Sequence, residues 1–177
     1  MHSKYDTIMT DYKELLKYRE RDLILILILI FIDYKGGFYM FFVPYITFNG
    51  NASDAISFYS KVLGAQSNPN IMYYKEAQGM DIPSGYEKKI LHSELNFPGG
   101  SLYISDAFPG SDATYTDSIS FTLEPDSKDA LNTLFDLLSE GGTVIQALKE
   151  EFWGAIFGSV KDKFGIYWSL NYQLPTK

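Results

Sequence analysis

"PYITFNGNASDAISFYSKVLGA", residues 44–65, is the stretch that decides the fold. Its first part belongs to an apolar, β-branched and aromatic segment over 41–49 that is typical of a strand. Its second part carries apolar residues at the three- and four-residue spacing of a helix. Asn51 or Ser53 is placed to cap the start of that helix, and Gly64 is placed to end it. The stretch therefore predicts a strand followed directly by an amphipathic helix.

Three strand-like segments follow this pair, and the same order then repeats in the second half of the chain. The first three segments read "NIMYY", "KKILHSELNF" and "SLYISDA". The second half reads "DSISFTLE" as a strand, "PDSKDALNTLFDLLSEGG" as a helix, and "TVIQALK", "WGAIFGSV" and "GIYWSLNYQ" as strands. A shift of 75 residues places the apolar residues of the first helix on those of the second. The aligned residues, in order, are Ala55, Ile56, Tyr59, Val62 and Leu63 in the first helix and Ala130, Leu131, Leu134, Leu137 and Leu138 in the second.

This repeat predicts an internal duplication of two βαβββ modules, over about 41–106 and 117–174. A single module leaves one sheet face uncovered, whereas two modules can share a curved mixed sheet with both helices on its outer face. The opposite, concave face then forms a cleft suited to a small ligand. The predicted fold class is α+β, and residues 40–177 are predicted to form a single domain.

Composition excludes several classes of function. The 177 residues are 46 % hydrophobic and 16 % aromatic, which supports a globular core. The formal charge of -7 argues against nucleic acid as a partner. The sequence contains no cysteine, which rules out disulfides, thiolate catalysis and sulfur-ligated metal, and is compatible with a cytoplasmic location.

The run "LILILILIFI", residues 23–32, raises the question of a membrane anchor. Its ten residues are about half of the roughly 20 that a helix needs to cross a bilayer, so no membrane association is predicted. If the source is bacterial, "KGGFYM" at 35–40 can be back-translated into a ribosome-binding sequence ahead of a start codon at Met40. We therefore interpret residues 1–39 as an extension outside the domain, with upstream translation as the hypothesis for its origin.

Three segments resemble the glyoxalase/bleomycin-resistance/dioxygenase, or vicinal oxygen chelate, superfamily, and in particular its PhnB-like branch. They are "PYITFNGNASDAISFYSKVLGA", "LHSELNFPGGSLYISDAFPG" and "FWGAIFGSVKDKFGIYWSLNYQ". Members of this branch are often labelled demethylubiquinone-methyltransferase-like. The resemblance implies paired βαβββ modules, frequent homodimers and a small ligand in the cleft between modules. It also implies that active members hold a divalent metal through two side chains from each module, one from its first strand and one from its fourth.

Those metal-ligand positions hold no strong ligand in this sequence. The resemblance places them on Val43 or Pro44, Tyr103, Ser118 and Ser169. Because divalent metals need converging His, Asp or Glu side chains, we predict no metal and no other cofactor, with a divalent metal as the family alternative.

Alternation along the strands predicts which side chains face the cleft. His92, Glu94 and Asn96 share one face of their strand, and His92 and Glu94 are candidates for proton transfer. Trp153 beside glycines is a candidate for stacking on a ligand or for core or dimer packing. The predicted cleft residues are Tyr45, Thr47, His92, Glu94, Asn96, Tyr103, Ser118, Ser120, Trp153, Tyr167 and Ser169.

The sequence predicts a small-molecule-binding protein whose superfamily metal site is lost. The alternative is an enzyme of lyase, isomerase or dioxygenase type, either metal-dependent or using His92 and Glu94 as an acid/base pair. A third hypothesis is that the protein serves only as a dimerisation scaffold. The sequence has no glycine fingerprint for a nucleoside cofactor, so nothing in it supports a methyltransferase.

Overall fold

The computed structural model describes residues 40–65 and 69–175, and Val43–Lys177 forms one compact unit. The apolar run at residues 23–32, and with it the interpretation of residues 1–39, lies outside the described residues. Within the described ranges, no helix has the length and apolar character needed to cross a membrane.

The described chain consists of two βαβββ modules in sequence. In the first module the elements are β1 (Tyr45–Phe48), α1 (Ala52–Leu63), β2 (Asn70–Tyr73), β3 (Ile90–Phe97) and β4 (Gly100–Asp106). In the second module they are β5 (Phe121–Leu123), α2 (Lys128–Ser139), β6 (Thr143–Glu150), β7 (Ala155–Lys161) and β8 (Tyr167–Gln173). A 3₁₀ turn, Tyr74–Glu76, follows β2.

The eight strands form two four-stranded mixed sheets, in the orders β1-β4-β3-β2 and β5-β8-β7-β6. The first strand of each module pairs in parallel with the fourth, and the other neighbours are antiparallel. The predicted α+β class with paired βαβββ modules is confirmed.

Each helix packs on its own sheet through the apolar positions that the repeat predicted. In α1, Ala55, Ile56, Tyr59 and Val62 are buried, and in α2 Leu131 and Leu138 are fully buried. A fully buried leucine side chain contributes about 1.5–3 kcal/mol relative to an exposed one. These apolar contacts hold each helix against one face of its sheet. The opposite face, which we call the open face, therefore carries the polar residues of each strand.

The junction between the modules is aromatic around one buried carboxylate. Phe48 and Phe58 of the first module pack against Phe164 of the second, with ring centroids 5.7 and 5.5 Å apart. The Tyr59 hydroxyl donates to the buried Asp162 carboxylate at 2.7 Å. Burial, and then the neighbouring Asp162, raise the pKa of Tyr59 far above its ordinary value, so the hydroxyl stays a donor.

The start of α1 differs from the prediction. Asn51 precedes the helix, but its side chain makes no capping hydrogen bond. The first amide of the helix, that of Ala52, instead donates to the carboxylate of Asp106 at 2.9 Å. Asp106 lies at the end of β4, so this contact joins residues that are distant in sequence. Gly64 ends the helix in the left-handed conformation, as predicted.

The strand predicted at 117–124 is shorter in the structure. Only Phe121–Leu123 pairs with β8, and Ser118 and Ser120 lie before the strand. The hydroxyls of Thr116 and Ser118 are 2.6 Å apart within a turn. Such local side-chain hydrogen bonds compete with strand pairing, which explains why the strand begins later.

Candidate functional site

Three residues lie side by side across the open face of the first sheet. Tyr45 of β1 is the registered neighbour of Tyr103 of β4, and Tyr103 is the neighbour of Glu94 of β3. Leu102 and Ile104 are buried on the helix side, which leaves Tyr103 on the open face, as period-two alternation predicts. The sheet register therefore brings together side chains from three strands.

His92 joins these residues to form a cluster, which we call the Tyr–His cluster: Tyr45, His92, Glu94 and Tyr103. The Tyr45 and Tyr103 rings meet edge to face, with centroids 6.0 Å apart and planes at 88°. The His92 and Tyr103 rings are also edge to face, at 5.0 Å and 79°. Tyr45 is 49 % exposed, and the side chains of His92 and Glu94 are 32 % and 37 % exposed. The cluster is thus accessible to a ligand.

A chain of polar contacts runs through the cluster. The Tyr45 hydroxyl lies 3.2 Å from Nδ1 of His92, and Nε2 of His92 lies 3.5 Å from Glu94 Oε1. In a neutral imidazole one ring nitrogen accepts a hydrogen bond and the other donates one. With Nε2 protonated, Tyr45 donates to His92 and His92 donates towards Glu94. This arrangement can orient the tyrosine hydroxyl and can exchange a proton with a bound molecule.

A groove of about 330 Å³ lies beside the cluster, at the boundary between the modules. Tyr45 and Thr47 of β1 line it from the first module, and Tyr167 of β8 lines it from the second. The buried Ile46 and Ile166 supply part of its apolar lining. Tyr45 therefore belongs to both the Tyr–His cluster and the groove.

The segment that links the modules forms another wall of the groove, and sequence reasoning missed it. Residues 113–116 and Ile119 line the groove, and Ile119 is 71 % exposed. The Tyr115 hydroxyl donates to the Thr47 carbonyl. Burial, followed by the Asp162 and Asp106 carboxylates, raises the pKa of Tyr115. The sequence signal that could have indicated this wall is Ile119, an apolar residue between polar neighbours.

The remaining predicted cleft residues are not among those that line the groove. Asn96 accepts from the Ser101 hydroxyl at 2.6 Å, and the hydroxyls of Ser120 and Ser169 are 3.4 Å apart. Ser118 lies in the turn beside Thr116. Trp153 packs edge to face on Phe152 and Phe157, next to the start of β7. Of the predicted cleft residues, Tyr45, Thr47 and Tyr167 therefore line the groove, and His92, Glu94 and Tyr103 adjoin Tyr45 in the Tyr–His cluster.

Comparison with known proteins gives the family. The family model described as 3-demethylubiquinone-9 3-methyltransferase matches residues 41–171. Protein YjdN of Escherichia coli K12 is 37 % identical over 146 residues, which cover 76 % of this chain and 97 % of YjdN. The chain belongs to this PhnB-like family.

Two solved structures share the fold of this chain. Protein PA1353 of Pseudomonas aeruginosa is 32 % identical and has a TM-score of 0.68, over 77 % of this chain and 100 % of that chain. A PhnB protein of Bacillus cereus has the same fold, with a TM-score of 0.64 at 23 % identity, over 75 % of this chain and 99 % of that chain.

The fold is also shared with a more distant protein. A glyoxalase/bleomycin resistance protein of Albidiferax ferrireducens has a TM-score of 0.52 at 16 % identity, over 76 % of this chain and 99 % of that chain. The fold predicted from the duplicated sequence is therefore also that of this glyoxalase/bleomycin resistance protein.

The residues of this PhnB-like chain do not fit the metal that the superfamily implies. The resemblance places the chelating positions on Val43 or Pro44, Tyr103, Ser118 and Ser169, none of which is a strong ligand for a divalent cation. Over residues 40–65 and 69–175, no three His, Asp or Glu side chains come close enough together to hold a metal ion. His92 and Glu94 alone supply two donors, which is fewer than a metal site requires.

Proposed function

We propose that this protein binds a small organic molecule that contacts the Tyr–His cluster and extends into the groove between the modules. The observation that carries the proposal is the position of Tyr45. This half-exposed side chain lines the groove of about 330 Å³ and also contacts His92 and Tyr103. Ligand pockets of about this volume typically combine apolar walls with a few placed polar groups.

The chemistry of the lining supports a ligand that is partly aromatic and partly polar. Ile46, Phe121 and Ile166 offer apolar surface, while the hydroxyls of Tyr45, Thr47 and Tyr167 offer hydrogen bonds. No metal is needed for such binding, which agrees with the residues at the chelating positions. The homodimer and the cytoplasmic location stay predictions.

Replacing Tyr103 tests the binding proposal. In a thermal-shift screen of water-soluble aromatic fragments, those that bind should raise the Tm of the full chain. Tyr103→Leu should lower the affinity for these fragments about tenfold. The reason is that the variant removes the ring in edge-to-face contact with both Tyr45 and His92. Asn132→Ala, an exposed change on α2, should leave each affinity unchanged. Fragments that bind Tyr103→Leu as tightly as the parent protein, or a screen without hits, would contradict the proposal.

The alternative is an enzyme of the same superfamily, and the contact chain Tyr45–His92–Glu94 favours its acid/base form. In that form His92 takes a proton from a bound molecule directly or through the Tyr45 hydroxyl. His92→Ala should then lower the rate of any activity found by about 100-fold or more, since general acid–base catalysis typically contributes that much. A variant with unchanged rate would exclude His92 from the chemistry.

The metal-dependent form of the alternative has a separate test. We expect protein purified without chelators to contain less than stoichiometric zinc, nickel, manganese or iron by elemental analysis. The reason is that Tyr103, Ser118 and Ser169 lack the donors such ions prefer. One equivalent of any of these metals, retained after dialysis, would show that other residues form a site and would favour the enzyme.

A further inference from the structure

Among the described open-face positions of β1–β4, the surroundings of the Tyr–His cluster carry one fixed charge, and that charge is negative. The registered neighbours of Glu94 are Tyr103 on β4 and Asn70 on β2, and Met72 lies opposite His92. Thr47 and Ser105 extend the same face, with their hydroxyls 3.4 Å apart. Over these described positions of β1–β4, Glu94 is the sole Asp, Glu, Lys or Arg. A carboxylate without a lysine or arginine beside it attracts a cation.

The aromatic rings next to Glu94 add a second attraction for a cation. Tyr45, His92 and Tyr103 lie with centroids 5.0–6.0 Å apart. Tyr45 is half-exposed, and His92 and Tyr103 are partly exposed, so part of each side chain is open to a ligand. A cation within about 6 Å of a tyrosine centroid is stabilised by the negative face of the ring.

Resting on the binding proposal above, we infer that the ligand carries an organic cation, an ammonium or alkylated amine, seated between Glu94 and the Tyr45 and Tyr103 rings. The rest of the ligand lies along the apolar groove. An anionic head group would instead face the carboxylate of Glu94, with no lysine or arginine at the described open-face positions of β1–β4 to pair with it. The geometry therefore points to an amphipathic amine rather than to a carboxylate or phosphate.

Three benzene derivatives that differ in charge test this inference: benzyltrimethylammonium, benzyl alcohol and benzoate. Each is titrated into the full chain, and amide chemical shifts of β1, β3 and β4 are followed by NMR. We expect the ammonium to bind about five- to tenfold more tightly than the alcohol, and benzoate to bind more weakly than both. Glu94→Gln should reduce the affinity for the ammonium to about that of the alcohol, and should leave the affinity for the alcohol within about twofold.

Glu140→Gln is the matched control, because it removes the same charge from an exposed position at the end of α2. It should leave the preference for the ammonium unchanged. Equal affinities for the three probes, or a preference that survives Glu94→Gln, would overturn the cationic ligand while leaving small-molecule binding at this face intact. If none of the probes shifts the amides of β1, β3 or β4, and the fragment screen also lacks hits, both the inference and the binding proposal are wrong.

Discussion

Asp162→Asn is expected to lower the free energy of unfolding by about 3–5 kcal/mol. The Asp162 side chain is buried and accepts four hydrogen bonds. Tyr59 Oη and Trp168 Nε1 donate to Oδ2, and the amides of Phe164 and Ile166 donate to Oδ1. An asparagine can accept at one oxygen only, so one pair of donors would face an amide NH₂ group. Two buried donors without an acceptor cost about 1–3 kcal/mol each.

Urea unfolding followed by tryptophan fluorescence measures this effect, and two variants serve as controls. Tyr59→Phe removes one donor and leaves the carboxylate with three, so we expect a loss of about 1–2 kcal/mol. Asp126→Asn, at an exposed position before α2, should change stability by less than about 0.5 kcal/mol. If Asp162→Asn is no more destabilising than Asp126→Asn, the carboxylate does not hold the module junction.

The result also bears on the binding proposal. Tyr59 comes from the first module, whereas Phe164, Ile166 and Trp168 come from the second, so Asp162 joins the two. Ile166 also lines the groove. Loss of the carboxylate should therefore disturb the groove as well as the core, and stability must be measured before any loss of ligand affinity in this region is interpreted.

Gly142→Ala is expected to destabilise the protein by about 2–3 kcal/mol or more. Gly142 immediately precedes β6 and lies against the end of β7. A Cβ atom at Gly142 would clash with the carbonyl oxygen of Lys161 and would lie 3.0 Å from Cα of Asp162. Both contacts are with backbone, so the clash is relieved only if the two strands separate. The separation would also displace the Asp162 carboxylate described above.

Gly100→Ala provides the comparison for this clash. A Cβ atom there would meet the Phe97 ring at 3.2 Å, and a side chain can move aside at lower cost than backbone. We expect a loss below about 1 kcal/mol for Gly100→Ala in the same urea experiment. Equal losses for the two variants would mean that the chain around Gly142 relaxes freely.

Much of the fold follows from local patterns in the sequence. The alternating residues of "YITF" and the helical spacing of Ala55, Ile56, Tyr59 and Val62 each depend on neighbours within a few positions. Their periods of two and 3.6 residues determine which side chains face the helix and which face outward. The repeat at a shift of 75 residues then predicted a second module of the same kind. The open-face positions of His92, Glu94 and Tyr103 follow from the same alternation.

Local pattern was less informative where polar side chains compete with the backbone. The segment "DSIS" alternates like a strand, yet the Thr116–Ser118 contact and a turn precede β5. The capping hydrogen bond predicted for the Asn51 side chain is absent for a related reason. The carboxylate of Asp106, brought in by β4, already accepts from the first amide of α1, so the helix does not require a local cap.

The sequence by itself determined the α+β class, the duplication, the helices, most of the strands and the open-face positions of His92, Glu94 and Tyr103. Only the tertiary structure decided that Tyr45 meets His92, that the linking segment closes one side of the groove, and that Asp162 joins the modules. These contacts span 47 residues for Tyr45 and His92 and 103 for Tyr59 and Asp162. The physical reason is that periodicity is set by neighbours along the chain, whereas such contacts depend on the strand register and on how the two sheets pack.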